Sequence, residues 1–246
     1  MRQGRLIAMV LAVALGSAAQ AQDMPTVLPH DYVLTDILNK QRVDAAIGAR
    51  PGGASGQARA PSQPSRNDRP SPIATAYRPT PAVSVKVRRQ FADWMGRQTS
   101  PEEGRRVAQL LERDDPVRSW ARLVGGDGLR PGDTADALAA YWVLNWVMAN
   151  GADSDRAQTQ AVREQVRAIM ANAPAFARLD EPRRQEFAET LMLNFLVQQA
   201  AHVEALKRGD HVLQRRLGDA AVARFRTEMG VDLRSLRLTA RGFVKA

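Results

Sequence analysis

The chain has 246 residues, 35 of them basic and 26 acidic, which gives a formal net charge of +9, and it has no cysteine. The lack of cysteine excludes disulfide bonds, thiol catalysis and thiolate metal sites, so the fold must be stabilised by packing. Arginine supplies most of the basic charge, a bias that fits a GC-rich genome as well as a need to bind anions.

The N-terminus has the order of a secretory signal. Arg2 and Arg5 precede an apolar run at residues 6–15, and an A-x-A cleavage site follows at residues 19–21. This order predicts a signal peptide at residues 1–21, although an uncleaved anchor is the alternative. The apolar run is short for a membrane span, so we expect a periplasmic or secreted protein with no span after cleavage.

Two segments separate this signal from the main body. Residues 22–48 contain one possible short helix, with Thr35 as its cap and four apolar residues available for docking, which are Leu34, Ile37, Leu38 and Val43. Residues 49–76 are dense in Pro, Gly, Ser and Arg and show no apolar period, which predicts a disordered linker. The alternative is an ordered coil wrapped on the body. The helical domain is then expected at residues 77–246.

Apolar spacings of three and four residues predict seven helices in this domain. Their expected positions are residues 83–96, 101–113, 116–124, 134–150, 155–172, 181–208 and 210–229. Ser100, Pro101 and Glu103 predict a capping box at the start of the second helix. Asp153 or Ser154 is the expected cap of the fifth helix.

The segment at residues 134–150 is apolar on every side of a helical wheel, so the other helices must surround it. Asp133 at its start and Asn150 with Gly151 at its end predict the bounds. Seventeen residues span about 25 Å and Asn145 interrupts the run, which favours a core helix over a membrane span. The sequence therefore predicts an all-α protein, a single compact multi-helix domain around a buried central helix.

The tail after this helical region alternates apolar residues with arginines. The stretch LRLTARGFV at residues 236–244 allows one short strand. Because no partner strand is visible, an extended or turn-like tail docked by its apolar residues is the favoured prediction.

The sequence shows no cofactor or metal motif. The glycine-rich loop at residues 125–133 has Pro131 where a dinucleotide fingerprint needs its third glycine, and it lacks the ligand spacing of a calcium loop. The three histidines, at positions 30, 202 and 211, show no metal-binding spacing. We therefore expect neither a cofactor nor a metal ion.

A polar row recurs every four residues along the helix at 181–208. Its members are Glu186, Thr190, Asn194, Gln198 and His202. The row is interpreted as the solvent face of an amphipathic helix, as the lining of a cleft with Glu186 or His202 as acid or base, or as part of a buried network. The third interpretation rests on Asn145, because a buried amide needs partners and Asn194 or Gln198 could supply them.

Three stretches of the chain carry a resemblance. They are TAYRPTPAV, LRPGDTADALAAYWVLNWVMANG and GVDLRSLRLTARGF. Their order resembles an uncharacterised family of exported proteobacterial proteins, a domain of unknown function, over residues 76–246. The resemblance implies export and a helical body, and it assigns no catalytic residue.

Two functions follow as hypotheses. The first is a non-enzymatic envelope protein that binds an anionic polymer, a lipid headgroup or a protein, favoured by the net charge and by four arginine pairs, at 88–89, 105–106, 183–184 and 215–216. Export makes nucleic acid a poor partner. The second is a cell-wall hydrolase with a cleft along the polar row. Arginines converging on one face would favour the first, and a cleft carboxylate with a raised pKa would favour the second.

Overall fold

The computed structural model describes residues 40–48 and 75–246, so the predicted signal peptide, Thr35 and most of the predicted linker lie outside the described residues. The described chain forms nine α-helices and one two-stranded sheet. The helices are α1 Lys40–Gly48, α2 Pro81–Gln98, α3 Pro101–Arg113, α4 Pro116–Val124, α5 Thr134–Asn150, α6 Arg156–Ala171, α7 Pro174–Ala177, α8 Glu181–Lys207 and α9 His211–Met229. The prediction of an all-α fold is confirmed.

Helix α5 is the central element, with the bounds that its sequence predicts. Asp133 accepts a hydrogen bond from the Ala135 N–H at 2.9 Å, which caps the first turn. Gly151 ends the helix in the left-handed region, at φ +59°. All of its residues except Val147 and Asn150 are buried. Helices α6, α8 and α9 pack around it, as a helix that is apolar on all sides requires.

The tail forms a β-hairpin, so the prediction of an extended or turn-like tail without a partner strand is wrong. Strands β1, Leu236–Thr239, and β2, Gly242–Lys245, pair antiparallel. Gly242, at φ +88°, allows the chain to reverse within two residues, so the second strand of the tail pairs with the first. The side-chain amide of Gln165 then bonds both the N–H and the carbonyl of Phe243, at 2.7 and 2.8 Å.

The hairpin covers one side of the central helix with aromatic contacts. The ring centroids of Trp142 and Phe243 are 5.1 Å apart, and those of Trp146 and Phe243 are 6.2 Å apart. The indole N–H of Trp146 donates to the Leu236 carbonyl at 2.9 Å. The main core therefore joins α5 directly to the last strands of the described chain.

Helix α1 also packs on this core. Val43, one of the residues predicted to dock, is fully buried, and α1 contacts α6 and β2. The last two residues of the predicted linker are ordered in the structure: the Thr75 carbonyl accepts from the Thr134 N–H at 3.0 Å, and Ala76 bridges to Asp133. The start of α5 is thereby tied to the chain just before α2.

Helices α2 and α3 form a hairpin with a smaller core of their own. Phe91, Met95 and Leu110 pack there against Leu193 and Val197 of α8. Only half of the predicted capping box forms at the start of α3. Ser100 accepts from the Glu103 N–H at 3.2 Å, while the Glu103 carboxylate pairs with Arg106.

Two further details differ from the sequence prediction. The cap of α6 is Asp155, which forms a full capping box with Gln158, so the prediction of Asp153 or Ser154 is wrong. The break expected at Pro174 contains the short helix α7. Its Phe176 is fully buried, which anchors the connection between α6 and α8.

Candidate functional site

The polar row of α8 does not lie on one surface. Thr190 and Asn194 are each 3% exposed, so this part of the row does not face solvent. The Thr190 hydroxyl donates to the Glu186 carbonyl at 2.7 Å, and the Asn194 amide donates to the Thr190 carbonyl at 2.8 Å. At the start of the row, the Glu186 carboxylate pairs with Lys86 of α2 at 2.8 Å. The structure therefore brings these three residues into helix packing.

Asn145 is the centre of a buried network. Its amide nitrogen donates to the Gln198 side chain at 2.9 Å and to the Tyr141 carbonyl at 2.8 Å. Its amide oxygen accepts from Arg224 of α9 at 2.6 Å. Sequence reasoning missed Arg224, although its place seven residues after Leu217 and three after Ala221, on the apolar face of the helix, was a signal of burial. The network joins α5, α8 and α9.

A second buried cluster lies at the start of α5. Asp136 is 1% exposed and accepts from Arg163 at 2.5 Å and from the Arg130 N–H at 2.9 Å. Burial raises the pKa of Asp136, and these two hydrogen bonds oppose that rise. Arg167 pairs with Asp133 at 2.7 Å. These ion pairs fasten α6 to the central helix, which gives the two aspartates a structural role beyond capping.

A third cluster holds the start of α2 against α8. Glu189 accepts from the Ser84 hydroxyl and from the Gln185 amide, both at 2.8 Å. Gln185 also accepts from the Thr80 N–H at 2.9 Å. Burial raises the pKa of Glu189 above its usual value. The cluster places an ionisable carboxyl between two packed helices.

A groove of about 840 Å³ runs along the α2–α3 hairpin. Its floor consists of small residues, Ala92 and Gly96 on α2 and Gly104 and Ala108 on α3. The two helices touch at this floor, because a Cβ placed on Gly104 would lie 2.8 Å from the Gly96 Cα. We call this surface, lined also by Val85, Arg88, Arg89, Asp93, Arg97, Pro101, Arg105 and Glu112, the α2–α3 groove.

Four arginines and two carboxylates line the α2–α3 groove, so its side chains carry an excess of positive charge. Arg88 is held in place by the carbonyls of Ser84 and Leu111, at 3.2 and 3.3 Å. Arg89, Arg97 and Arg105 are exposed, and within the described residues none of them forms an ion pair. These three guanidinium groups are therefore available to an anionic partner.

A second cavity, of about 430 Å³, lies between the end of α5, the end of α8 and the start of α9. It brings His202, the last residue of the polar row, together with His211, Asp153 and Arg215. Burial lowers the pKa of His202, so this imidazole is more readily neutral than an exposed one. In the described ranges, no group of three or more His, Asp or Glu side chains is arranged to hold a metal ion.

Sequence reasoning missed the α2–α3 groove because its arginines belong to two helices. The pairs at 88–89 and 105–106 were visible in the sequence, but the contact between Gly96 and Gly104 that places Arg88, Arg89 and Arg105 on a shared surface was not. None of the described helices is long and apolar enough to cross a membrane.

Of the comparisons with known proteins, the one with protein families gives a match. No curated protein and no solved structure matches the chain. A match to one family covers residues 1–245, and it therefore extends well upstream of the resemblance noted at residues 76–246. The chain belongs to the family of unknown function DUF6683.

Proposed function

We propose that the protein is a non-enzymatic interaction protein of the cell envelope, and that its α2–α3 groove binds an acidic helix of a partner protein. The observation that carries this proposal is the convergence of Arg89, Arg97 and Arg105, all exposed and without ion pairs among the described residues, on one groove. Unpaired cations around an apolar floor favour a partner with carboxylates beside a small apolar face.

The shape of the groove supports a helical occupant. Helices α2 and α3 run antiparallel, since Gly96 lies at Gly104 while Arg88 reaches the Leu111 carbonyl. Their small floor residues let a third backbone approach closely. Helix α3 has 13 residues and is therefore about 20 Å long, enough to contact about four turns of a partner helix.

The spacing of the arginines indicates where the partner carries its charges. Arg89 and Arg97 are eight residues apart on α2, a rise of about 12 Å. A helix lying along the groove would meet them with carboxylates seven or eight residues apart. Arg105 lies on α3 and would pair with a carboxylate on the opposite flank.

The N-terminal sequence supports the envelope as the proposed place of action. Residues 1–21 have the charged, apolar and small-residue order of a signal peptide, which supports export. In the envelope the protein would meet other exported proteins and not nucleic acid. The proposed partner is therefore an exported or membrane-bound protein with an acidic helix.

The hydrolase hypothesis receives less support from the site. It requires a cleft carboxylate with a raised pKa, since such a group can act as a general acid. Among residues 40–48 and 75–246, the carboxyl groups whose pKa is raised by burial are Asp127, Asp136 and Glu189, and none of these three lines the α2–α3 groove or the cavity at His202. We therefore favour binding over hydrolysis.

The proposal is tested with helical peptides and charge-reversed proteins. The probe is a fluorescent helical peptide with an alanine and leucine face and with glutamates seven residues apart, and its control carries glutamine in their place. Fluorescence anisotropy should show binding of the glutamate peptide only. Replacing Arg89, Arg97 and Arg105 with glutamate should weaken binding at least tenfold, which corresponds to about 1.4 kcal/mol or more.

The matched control reverses the same number of charges elsewhere. Arg118, Arg178 and Arg241 are exposed and do not line the groove. Their replacement with glutamate should leave peptide affinity within about twofold of wild type, apart from a long-range effect that salt screens. Equal losses in both triple variants, or equal binding of the glutamine peptide, would overturn the proposal.

A further inference from the structure

The turn between α8 and α9 exposes two large apolar side chains. Within the described residues, four large hydrophobic side chains are exposed, and two of them, Leu206 and Val212, flank this turn. Each is 52% exposed. Gly209 reverses the chain between them at φ +61°, so both side chains stand at the same end of the molecule. Two of the four exposed apolar side chains are thus clustered at one turn, and clustering of exposed apolar side chains marks surfaces that bind a partner.

Basic residues flank this pair along the chain, and Arg215 lines the same cavity as Leu206. Residues 204–216 contain Lys207, Arg208, Arg215 and Arg216, against the two acids Glu204 and Asp210. Both acids are already engaged, because Glu204 pairs with Arg208 at 2.6 Å and Asp210 caps α9 through the Leu213 N–H. Lys207, Arg215 and Arg216 are exposed and form no ion pair within residues 40–48 and 75–246. The turn therefore has cations free to pair with anions.

The cavity beside the turn adds room for a polar group. Leu206, His211 and Arg215 contribute to its lining, together with the half-buried His202. The Nδ1 atom of His202 is buried and has no hydrogen-bond partner in the described part of the chain. A polar group entering beside Leu206 would meet Arg215 and the two histidines, with the Asp153 carboxylate as the one anionic side chain among the described lining residues.

We propose that the α8–α9 turn, defined as residues 204–216, docks on an anionic phospholipid surface. Leu206 and Val212 enter the interface between the headgroups, while Lys207, Arg215 and Arg216 pair with lipid phosphates. This combination of a few inserted apolar side chains and flanking cations is how a peripheral protein gains affinity for an anionic bilayer. The apolar pair explains why a lipid surface fits better than a soluble polyanion.

The proposed surface is separate from the α2–α3 groove. Helix α8 contacts that hairpin through Leu193 and Val197, and Leu206 lies nine residues beyond Val197, about 13 Å further along the helix. The protein can therefore hold a partner helix in the groove while the turn contacts lipid. The inference does not depend on the occupant of the groove.

The first experiment measures binding of the full chain to vesicles by co-sedimentation. The vesicles contain phosphatidylcholine alone, or equal parts of phosphatidylcholine and phosphatidylglycerol. We expect binding to the anionic vesicles, weakened by salt, and little binding to the neutral ones. The double variant Arg215→Gln and Arg216→Gln should bind the anionic vesicles about 25-fold more weakly, since each cation near such a surface contributes about fivefold.

Matched variants distinguish this surface from general stickiness. Leu206→Ser with Val212→Ser should lose most of the binding, whereas Leu123→Ser, at an exposed apolar side chain that lines neither the groove nor the cavity, should retain it. Arg118→Gln with Arg178→Gln is the matched charge control. All of these positions are exposed, so unchanged melting temperatures are expected and show that the variants are folded.

A second measurement reports insertion directly. Because the chain has no cysteine, a single Leu206→Cys variant can carry one polarity-sensitive dye, with Leu123→Cys, outside both the groove and the cavity, as its control. The dye at position 206 should move to a less polar emission when anionic vesicles are added, and the dye at position 123 should not. Equal binding to neutral vesicles, unchanged binding of the Ser and Gln variants, or an unchanged emission at position 206 would each overturn the proposal.

Discussion

The guanidinium of Arg224 donates a hydrogen bond to the side-chain oxygen of Asn145 at 2.6 Å, between α9 and α5. Asn145 is fully buried and Arg224 is 9% exposed. The amide nitrogen of Asn145 is used as well, by Gln198 and by the Tyr141 carbonyl. A single amide therefore orients two neighbouring helices on the central one, and this role requires no ligand.

Replacing Asn145 with leucine should cost about 2 to 3 kcal/mol of unfolding free energy. The substitution removes the hydrogen bond between Asn145 and the charged Arg224. It also takes the Asn145 amide away from Gln198, so two side chains lose a hydrogen-bond partner inside the protein. Denaturant unfolding measures the loss. Asn172→Leu is the control, because Asn172 is exposed and its amide bonds only the preceding turn, so a change within about 0.5 kcal/mol is expected.

A double-mutant cycle separates the contact from a general packing defect. Asn145→Leu combined with Arg224→Met should show a coupling of about 1 kcal/mol or more, and a similar test with Gln198→Leu should show about 0.5 kcal/mol or more. Additive losses in both cycles would mean that these side chains do not interact in solution.

Truncating the central indoles should be among the most damaging changes in the protein. Trp142 is 1% exposed and Trp146 is 8% exposed, and either change to alanine should cost about 3 to 5 kcal/mol because it leaves a large cavity. Trp146→Ala also removes the hydrogen bond to Leu236. Near-wild-type melting curves for both variants would contradict the position of α5 in the core.

The contact between α2 and α3 can be tested at its two glycines. A methyl group at Gly104 would lie 2.8 Å from the Gly96 Cα, and backbone cannot yield easily, so Gly104→Ala should cost about 1 to 3 kcal/mol. A methyl group at Gly96 meets Gly104 only at 3.4 Å, and alanine favours helix, so Gly96→Ala should be close to neutral. Urea unfolding compares the two, and equal effects would show that the helices are further apart than described.

The buried carboxyl of Glu189 predicts a pH dependence with a definite sign. Because its pKa is raised in the folded protein, its contribution favours folding while it is protonated and is lost as pH rises above the ordinary glutamate pKa of about 4.3. Glu189→Gln keeps an oxygen for Ser84 and Gln185 but cannot ionise. Its melting temperature relative to wild type should therefore increase as pH rises from acid to neutral.

The control for this experiment is Glu102→Gln, which makes the same chemical change at an exposed side chain on α3. The melting temperatures of Glu189→Gln are compared with those of this variant at each pH. A relative melting temperature of Glu189→Gln that falls as pH rises would show that the hydrogen bonds to Glu189 outweigh its burial.

The helices were predictable because their start and stop signals are local. Asp133, Ser100 and Gly151 act through backbone atoms within a few residues, so their effects can be read from sequence. The β-hairpin was missed because its second strand was read as part of a single alternating tail. Its stability depends on Gln165 and Trp142, which lie far away in the sequence.

The candidate site was less predictable for the same physical reason. Periodicity placed Thr190 and Asn194 on one stripe with Gln198, but it could not decide which part of the stripe another helix covers. The groove depends on how two helices cross at Gly96 and Gly104, and the sequence does not specify that crossing. Charge alone indicated an anionic partner without showing where it would bind.

The hydrogen bond from Trp146 to Leu236 joins residues 90 positions apart, and this separation affects how the nascent chain folds. At about 5 to 20 residues per second, the ribosome finishes β1 about 5 to 20 s after the end of α5 has been made. During that interval the faces of Trp142 and Trp146 that Phe243 later covers stay open to water. The core can therefore close only after residue 245 has been synthesised, and until then the apolar segment of α5 stays accessible to a chaperone.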